Sequence, residues 1–265
     1  MSQRVLEGSP EVLARTGPAM EPDLAQVVER SALRSAPFEH IYMENVFSPG
    51  FYRTLLENLP DTKQYHQLYH RDALRADGTS TRLRMYLYPE NLFGLPGAQR
   101  RVWRQVAKAL CAPALELAFK RKFRAPLENR FQQPVEEIAL YPVPILVRDL
   151  PGYRIGIHAD TLTKAVTVQF YLPGDQAQAH LGTVFHTNRA QDGSDQPVAM
   201  QFLPASGYAF PVMKKESWHS APQTTEADGE RRSIMLTYYV DQDLKTKFKR
   251  RRQRLGVFFG RYPRI

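Results

Sequence analysis

Short hydrophobic runs dominate the second half of the chain. From Pro134 onward they follow one another at close spacing, and proline, glycine or aspartate separates many of them. Runs of this length and spacing are typical of the strands of an antiparallel barrel or jelly roll. The predicted strands cover residues 137–141, 145–148, 155–157, 165–172, 182–185, 198–203, 208–210 and 233–240.

The first half of the chain combines helical patterns with two further strands. Alternating residues predict strands within 37–47 and 79–88. Ser48 and Pro49 mark a helix start between them, with serine as the N-cap and proline at the first helical position. Helices that precede a group of strands indicate the α+β class, here a jelly-roll core with N-terminal helices packed on it.

The longest helical pattern covers residues 98–123. Pro113 lies inside it and predicts a break or kink, because proline cannot continue the helical hydrogen bonding. Cys111 also lies within the pattern, and we expect a core residue rather than a nucleophile, because buried structural thiols far outnumber reactive ones. The buried stripe is predicted to comprise Val102, Val106, Leu110, Leu115 and Phe119.

These patterns divide the chain into three parts. Residues 1–36 form an N-terminal arm, residues 37–243 form one domain with its jelly-roll core at about 135–242, and residues 244–265 form a basic tail. No apolar run approaches the length of a membrane span, and the first ten residues lack the features of a signal peptide. A single cysteine allows no internal disulfide, which fits a cytoplasmic location.

Positive charge is concentrated in the tail. The net charge is +9, and removal of the seven lysines and arginines between positions 245 and 254 leaves +2 for the rest of the chain. A solvated, charged helix face is the commoner explanation of such a run. The alternative is an anionic partner, such as an acidic protein, a lipid or a glycan, with nucleic acid less favoured.

Candidate chemistry begins at His158 and Asp160, which are separated by one residue. Side chains at i and i+2 of an extended chain point to the same side, so both can converge on one point. One imidazole and one carboxylate make two thirds of a 2-His-1-carboxylate site, which leaves open positions on non-heme Fe(II). A second histidine would complete this site.

His219 is the preferred second histidine among the seven in the chain. It lies in a predicted loop, far from His158 in sequence, and closure of a jelly roll would bring the two together. The other histidines either precede the predicted barrel or lie beside residues 182–185: His40, His66, His70, His180 and His186.

An arginine-bearing strand follows. Arg231 and Ser233 share one face by the two-residue period, whereas Arg232 points to the other face. A guanidinium matches a carboxylate bidentately, and the neighbouring hydroxyl adds a third donor. The pair is therefore suited to a dicarboxylate that chelates the metal at its other end.

The ordered set of motifs resembles the Fe(II)/2-oxoglutarate-dependent oxygenases, nearest in pattern to the prolyl-hydroxylase-like group. The resemblance runs from Pro37 to about Tyr239, and its opening segments, 37–47 and 52–60, are similar to the first strand and helix of many bacterial members. The later motifs are, in order, His158-X-Asp160, Lys164-Ala-Val-Thr167, Tyr171-Leu-Pro173, Gly182-Thr183, Trp218-His219 and Arg231-X-Ser233.

This resemblance implies a double-stranded β-helix, or cupin-like, core that uses Fe(II), 2-oxoglutarate and O2. His158, Asp160 and His219 would hold the metal. Arg148 stands where members often have a tyrosine that contacts the cosubstrate, so it would bind 2-oxoglutarate, a substrate anion or only Asp149. The residues implied to bind the cosubstrate are Arg231, Ser233, Tyr171, Thr183 and Arg148.

The implied activity is hydroxylation of an unactivated C–H bond with release of succinate and CO2. Asp160 favours hydroxylation, because halogenating relatives lack this carboxylate. The substrate is expected to be an amino acid, a peptide, a carrier-bound intermediate or a natural product. Candidates for lining its pocket are Arg82, Arg84, Tyr86, Tyr153, Gln169 and Trp218.

Two alternatives stay open. The first is a metal-binding jelly roll without oxygenase activity, such as a cupin-like isomerase or sensor, although the chain lacks the His-X-His that cupins usually present. The second is a module that binds an anionic partner through the basic tail.

Overall fold

The computed structural model describes residues 23–190 and 193–240, together with positions 252 and 256. The described helices are α1 (Leu24–Arg30), α2 (Pro49–Glu57), α3 (Pro89–Phe93), α4 (Gly97–Leu110), α5 (Pro113–Lys122) and α6 (Arg124–Phe131). Single 3-10 turns cover Thr62–Gln64, Arg71–Ala73, Val135–Glu137 and Ala179–Leu181. The strands are β1 (Leu33–Arg34), β2 (His40–Met43), β3 (His66–Gln67), β4 (Arg82–Tyr86), β5 (Leu140–Asp149), β6 (Ile155–Ala159), β7 (Lys164–Tyr171), β8 (Val184–His186), β9 (Val198–Ala199), β10 (Gly207–Pro211), β11 (Trp218–Ala221) and β12 (Arg231–Val240).

The described strands form two antiparallel sheets. The larger sheet has eight strands in the order β1-β2-β10-β7-β12-β5-β4-β3, and the smaller has four in the order β6-β11-β8-β9. Phe185 of the smaller sheet contacts Tyr208 and Phe210 of the larger one, with ring centroids 5.2 and 5.4 Å apart. The two sheets therefore face each other, and the predicted α+β jelly roll with packed helices is confirmed.

One face of the larger sheet packs on the helices and forms the main core. Even-numbered residues of β12 lie on this face, and Ile234 and Leu236 among them are fully buried. Trp103 of α4 and Phe119 of α5 belong to the same core. We call this helix-covered side the outer face; the opposite side, which carries the odd-numbered residues of β12, is the inner face and looks toward the smaller sheet.

The helix predictions hold in position and differ in one detail. Ser48 caps α2 by accepting a hydrogen bond from the amide of Phe51. The long helical pattern is interrupted before Pro113, where α4 ends and α5 begins. Cys111 is the C-cap of α4 and is exposed, so the prediction of a core cysteine is wrong. The helix ends at this residue, so its side chain is not held on the buried side of α4.

Two strand predictions need correction. The sequence predicts separate strands at residues 137–141 and 145–148, divided by Pro142 and Pro144, whereas β5 runs through both prolines. The carbonyl of Pro144 accepts a hydrogen bond from the amide of Leu87, which lies just beyond the end of β4. The nitrogens of Pro142 and Pro144 point to the same side, where β4 has already ended, so the N–H groups that proline lacks are not needed for strand pairing. The second correction is β11: the sequence predicts a loop around His219, whereas the structure has a strand there.

The termini are described only in part. The first 22 residues of the predicted arm lie outside the described residues, whereas α1 packs on α5 through Leu24, Val27 and Val28. The basic tail, apart from positions 252 and 256, also lies outside them. No helix in the described part of the chain has the length and apolar character of a membrane span.

Candidate metal centre

Two neighbouring strands of the smaller sheet bring the predicted metal ligands together. His158 of β6 pairs directly with His219 of β11, and the centroids of their rings are 4.2 Å apart. Asp160 follows β6 immediately. One ligand atom from each of the three residues lies within 4.8 Å of the other two, which is a spacing that one metal ion can bridge. His219 is thus a strand residue whose position depends on sheet pairing.

Both imidazoles are oriented by backbone carbonyls. Nδ1 of His158 lies 2.9 Å from the carbonyl oxygen of Gly156, and Nδ1 of His219 lies 3.0 Å from that of Ser217. A carbonyl only accepts, so Nδ1 carries the proton and donates it. The lone pair of Nε2 is left for a metal, as is usual for histidine ligands with a hydrogen-bonded second nitrogen.

The protonation states suit a cation. Burial penalises the imidazolium and lowers the pKa of His219 to about 4, although the charge of Asp160 opposes this shift. Burial likewise lowers the pKa of His158. Burial raises the pKa of Asp160, but the positive charge of Lys164, the charge that His219 acquires in acid, and hydrogen bonds from Lys164 and Thr167 outweigh burial and hold that pKa below its usual range. At neutral pH the site therefore offers two neutral imidazoles and one carboxylate.

Two residues of β7 orient the carboxylate. Lys164 Nζ lies 2.5 Å from one oxygen of Asp160, and the hydroxyl of Thr167 donates to the other at 2.6 Å. Such outer contacts fix the direction in which a ligand presents its lone pairs. Both residues fall in the motif that the sequence pattern singled out, but their contact with Asp160 was not anticipated.

Arg231 and Ser233 lie on the inner face of the larger sheet and are fully buried. Arg231 donates through Nη1 to Asp149 at 2.9 Å and through Nη2 to the hydroxyl of Thr183 at 3.3 Å. Its Nε is buried and has no hydrogen-bond partner among the described residues. A buried, unsatisfied guanidinium donor is costly, and this one marks a position where an acceptor is missing.

Polar side chains from neighbouring strands continue this site. The amide of Gln169 donates to the hydroxyl of Ser233 at 2.7 Å, and its carbonyl oxygen accepts from Tyr208 at 2.8 Å. The hydroxyl of Tyr171 accepts from the amide of Thr183 at 3.0 Å. Thr167 and Tyr171 lie on the same face of β7, roughly 13 Å apart along the strand, so the arginine site and the metal site share one surface.

Arg148 does not belong to this site, and its predicted cosubstrate contact is wrong in orientation. It pairs with Arg232 across the β5–β12 ladder, so its side chain lies on the outer face, opposite to that of Arg231. There Nε and Nη2 donate to the two oxygens of Glu230, and Nη1 donates to the hydroxyl of Thr62. The inner-face residue at this end of β5 is its neighbour, Asp149.

Asp149 is the site residue that sequence reasoning missed. It is fully buried and accepts hydrogen bonds from Arg231 and from Arg82, whose Nε lies 2.7 Å away. The guanidinium of Arg82 lies over the ring of Tyr153 at 4.5 Å. A signal was present in the sequence, because Asp149 directly follows the strand predicted at 145–148 and a buried arginine requires a carboxylate.

The remaining candidates divide between two surfaces. Arg82, Arg84 and Tyr86 of β4 lie on the inner face by their register with β5, as does Gln169 on β7. A cleft of about 1180 Å³ opens beside His158 and is lined by residues that include Arg154, Arg189 and Trp218.

His180 and His186, the two histidines near β8, have partners of their own. His186 contacts Asp195 through Nδ1 at 2.5 Å and the hydroxyl of Ser220 through Nε2 at 2.8 Å. His180 contacts Asp228. Among the described residues, the three-ligand cluster consists of His158, Asp160 and His219.

Comparison with known proteins defines the fold. No protein-family model matches the chain, and no curated relative matches it. The structure is similar to a prolyl-4-hydroxylase from Pseudomonas putida at 16% identity, with a TM-score of 0.51, over 83% of this chain and 100% of that one. It is also similar to a prolyl hydroxylase from Trichoplax adhaerens in complex with a hypoxia-inducible-factor peptide fragment, at 11% identity and a TM-score of 0.50, over 86% and 90% of the two chains. The chain therefore has the fold of the prolyl-hydroxylase-like 2-oxoglutarate/Fe(II) oxygenases.

Proposed function

We propose that the protein is a non-heme Fe(II)- and 2-oxoglutarate-dependent dioxygenase that hydroxylates an unactivated C–H bond. The observation that carries this proposal is the convergence of His158, Asp160 and His219 on one point of a jelly roll. The buried donors of Arg231 on the adjoining inner face support it, because a dicarboxylate needs a cationic partner at its distal end.

The donor set fits Fe(II). Two imidazoles and one carboxylate are the protein ligands of the non-heme Fe(II) oxygenases, and they leave open positions on the metal. When bound, Fe(II) with 2-oxoglutarate and O2 supplies the oxidant for C–H hydroxylation, and succinate and CO2 are released. The protein's own task is to hold these groups and exclude competing reactions.

Each residue has a defined role in this proposal. His158 and His219 present Nε2 to the metal, and Asp160 presents a carboxylate that Lys164 and Thr167 hold in place. Arg231 binds the distal carboxylate of 2-oxoglutarate. Ser233, Tyr171 and Thr183 supply hydroxyl groups around that carboxylate.

The substrate is a small molecule or a peptidyl group. The similar Trichoplax protein was solved with a peptide fragment, which supports the peptidyl class at the level of the fold. The cleft beside His158 has a volume of about 1180 Å³, so its size excludes neither class. Binding of an anionic partner to the basic tail and a cytoplasmic location both stay predictions from the sequence.

Succinate release tests the proposal. The protein is loaded anaerobically with Fe(II) and 2-oxoglutarate and then exposed to O2, and succinate is measured without added substrate, because such enzymes often show slow uncoupled turnover. We expect wild-type turnover, and a decrease of at least about 100-fold in His219→Ala, since a metal ligand matters at least as much as the residues that support it.

His180→Ala is the matched control. It removes an exposed imidazole outside the metal cluster, and we expect wild-type succinate release from it. Fe(II) binding without 2-oxoglutarate binding or succinate release would instead favour the non-oxygenase jelly roll. Equal turnover in wild type and His219→Ala would refute the ligand assignment.

A further inference from the structure

We propose that Asp149 is a positioning residue for the cosubstrate: it holds the guanidinium of Arg231 so that its Nε/Nη2 edge receives the distal carboxylate. This inference rests on the proposed function. It concerns a carboxylate that no sequence motif marked and that lies directly opposite Arg231 in the β5–β12 ladder.

The contacts of Arg231 define which of its edges is occupied. Nη1 donates a hydrogen bond to the carboxylate of Asp149 at 2.9 Å, and Nη2 donates to the hydroxyl of Thr183 at 3.3 Å. Nε, on the same edge as Nη2, has no hydrogen-bond partner among the described residues. An incoming carboxylate would therefore meet two parallel N–H groups on the edge that Asp149 leaves open.

Two other arginines in this part of the sheet show what a satisfied edge looks like. Arg82 directs Nε and Nη2 to the two oxygens of Asp149, at 2.7 and 3.4 Å. Arg148 directs the same two atoms to the two oxygens of Glu230. In both cases a carboxylate fills the Nε/Nη2 edge, whereas in Arg231 the same edge lacks one.

Asp149 is itself held rigidly. Both of its oxygens accept hydrogen bonds from Arg82, and the Arg82 guanidinium lies over the buried ring of Tyr153. One carboxylate between two guanidinium groups leaves one net positive charge, which matches one incoming carboxylate. Asp149 thus limits the rotation of Arg231 and prevents direct repulsion between the two arginines.

A simpler role for Asp149 would be to screen positive charge, and the two roles have opposite consequences. If Asp149 only screens, its neutralisation leaves two uncompensated guanidinium groups and strengthens the binding of a dianion. If Asp149 positions Arg231, neutralisation frees the guanidinium to rotate and weakens binding despite the gain in positive charge.

The test compares Asp149→Asn with wild type by calorimetric binding of 2-oxoglutarate, with Mn(II) replacing Fe(II) to prevent turnover. Asparagine keeps the size of the side chain and one acceptor oxygen. We expect the dissociation constant for 2-oxoglutarate to rise roughly tenfold or more. Mn(II) binding and the thermal unfolding transition are measured on the same samples to confirm an intact fold.

Glu230→Gln is the matched control, because it removes the same charge from a carboxylate–arginine pair on the outer face. We expect its affinity for 2-oxoglutarate to equal that of wild type. Equal or tighter binding by Asp149→Asn, in a background where wild type binds, would overturn the positioning role and leave the proposed function standing.

A second readout needs no cosubstrate. The Nε–H resonance of Arg231, assigned by its loss in Arg231→Lys, should be a narrow, slowly exchanging signal in wild type and in Glu230→Gln. In Asp149→Asn it should broaden or exchange quickly. If wild type fails to bind 2-oxoglutarate, the proposed function falls, and this spectrum still decides whether Asp149 immobilises Arg231: an unchanged signal in Asp149→Asn refutes it.

Discussion

Two arginine–carboxylate pairs lie side by side in the β5–β12 region but on opposite faces of the sheet. The inner pair joins Arg231 to Asp149, with side chains 1% and 0% exposed. The outer pair joins Arg148 to Glu230, with side chains 11% and 25% exposed. Arg148 directly precedes Asp149 in the chain, and Glu230 directly precedes Arg231. This shift by one residue places the Arg231–Asp149 pair on the inner face, which adjoins the metal site.

The difference shows that a site arginine is recognised by its unused donors. All three nitrogens of Arg148 have partners, namely Glu230 and Thr62, so this arginine completes a structural contact. Arg231 is more deeply buried, yet its Nε lacks a partner among the described residues. Burial of an unsatisfied donor is costly, and a ligand acceptor relieves that cost.

Removal of the inner cation should have the largest effect on stability. Arg231→Met leaves the buried Asp149 with Arg82 alone, and no solvent can replace the lost partner in this site. We therefore expect a loss within the range of about 3–5 kcal/mol of the free energy of unfolding that breaking a buried ion pair typically costs, with the remaining pair to Arg82 keeping it toward the lower end. Urea denaturation measures this loss. Arg148→Met is the comparison, and a loss of equal size there would show that the two faces do not differ in the way their burial indicates.

Apolar residues on the two faces of β12 should also differ in how much their truncation lowers the free energy of unfolding. Leu236 is fully buried against the helices, whereas Met235 is partly buried on the inner face. We expect Leu236→Ala to lower the free energy of unfolding by about 2–5 kcal/mol, because it leaves a cavity in the main core. Thermal unfolding of Leu236→Ala and Met235→Ala compares the two, and a smaller effect for Leu236 would contradict this assignment of the faces.

The face of a residue within one strand could be predicted from the sequence. The two-residue period correctly separated Arg231 and Ser233 from Arg232, and Ser48 with Pro49 correctly located the start of α2. These features depend on neighbours in the chain. The jelly-roll class could likewise be inferred from the spacing of short hydrophobic runs.

Relations between strands could not be predicted in this way. Whether Arg148 or Asp149 shares a face with Arg231 depends on the register of β5 with β12, which pairs Arg231 with Asp149, 82 positions away in the chain. The direct pairing of His219 with His158 has the same origin, and the β11 run is too short and polar to mark a strand. Sequence periodicity fixes faces within a strand, and only the pairing of strands relates one face to another.

The smallest expected effect concerns the coupling within the outer pair. A double-mutant cycle of Arg148→Met and Glu230→Gln removes each partner singly and together, and urea denaturation gives the interaction free energy. Glu230 retains a second cationic partner, Arg232, and the pair is partly solvated, so we expect a coupling of about 1 kcal/mol or less. Since solvent and Arg232 can replace Arg148 as partners of Glu230, Arg148→Met does not leave Glu230 as an uncompensated charge. A coupling of several kcal/mol would mean that the outer pair is as desolvated as the inner one, and the open edge of Arg231 would then be the sole feature that distinguishes the two.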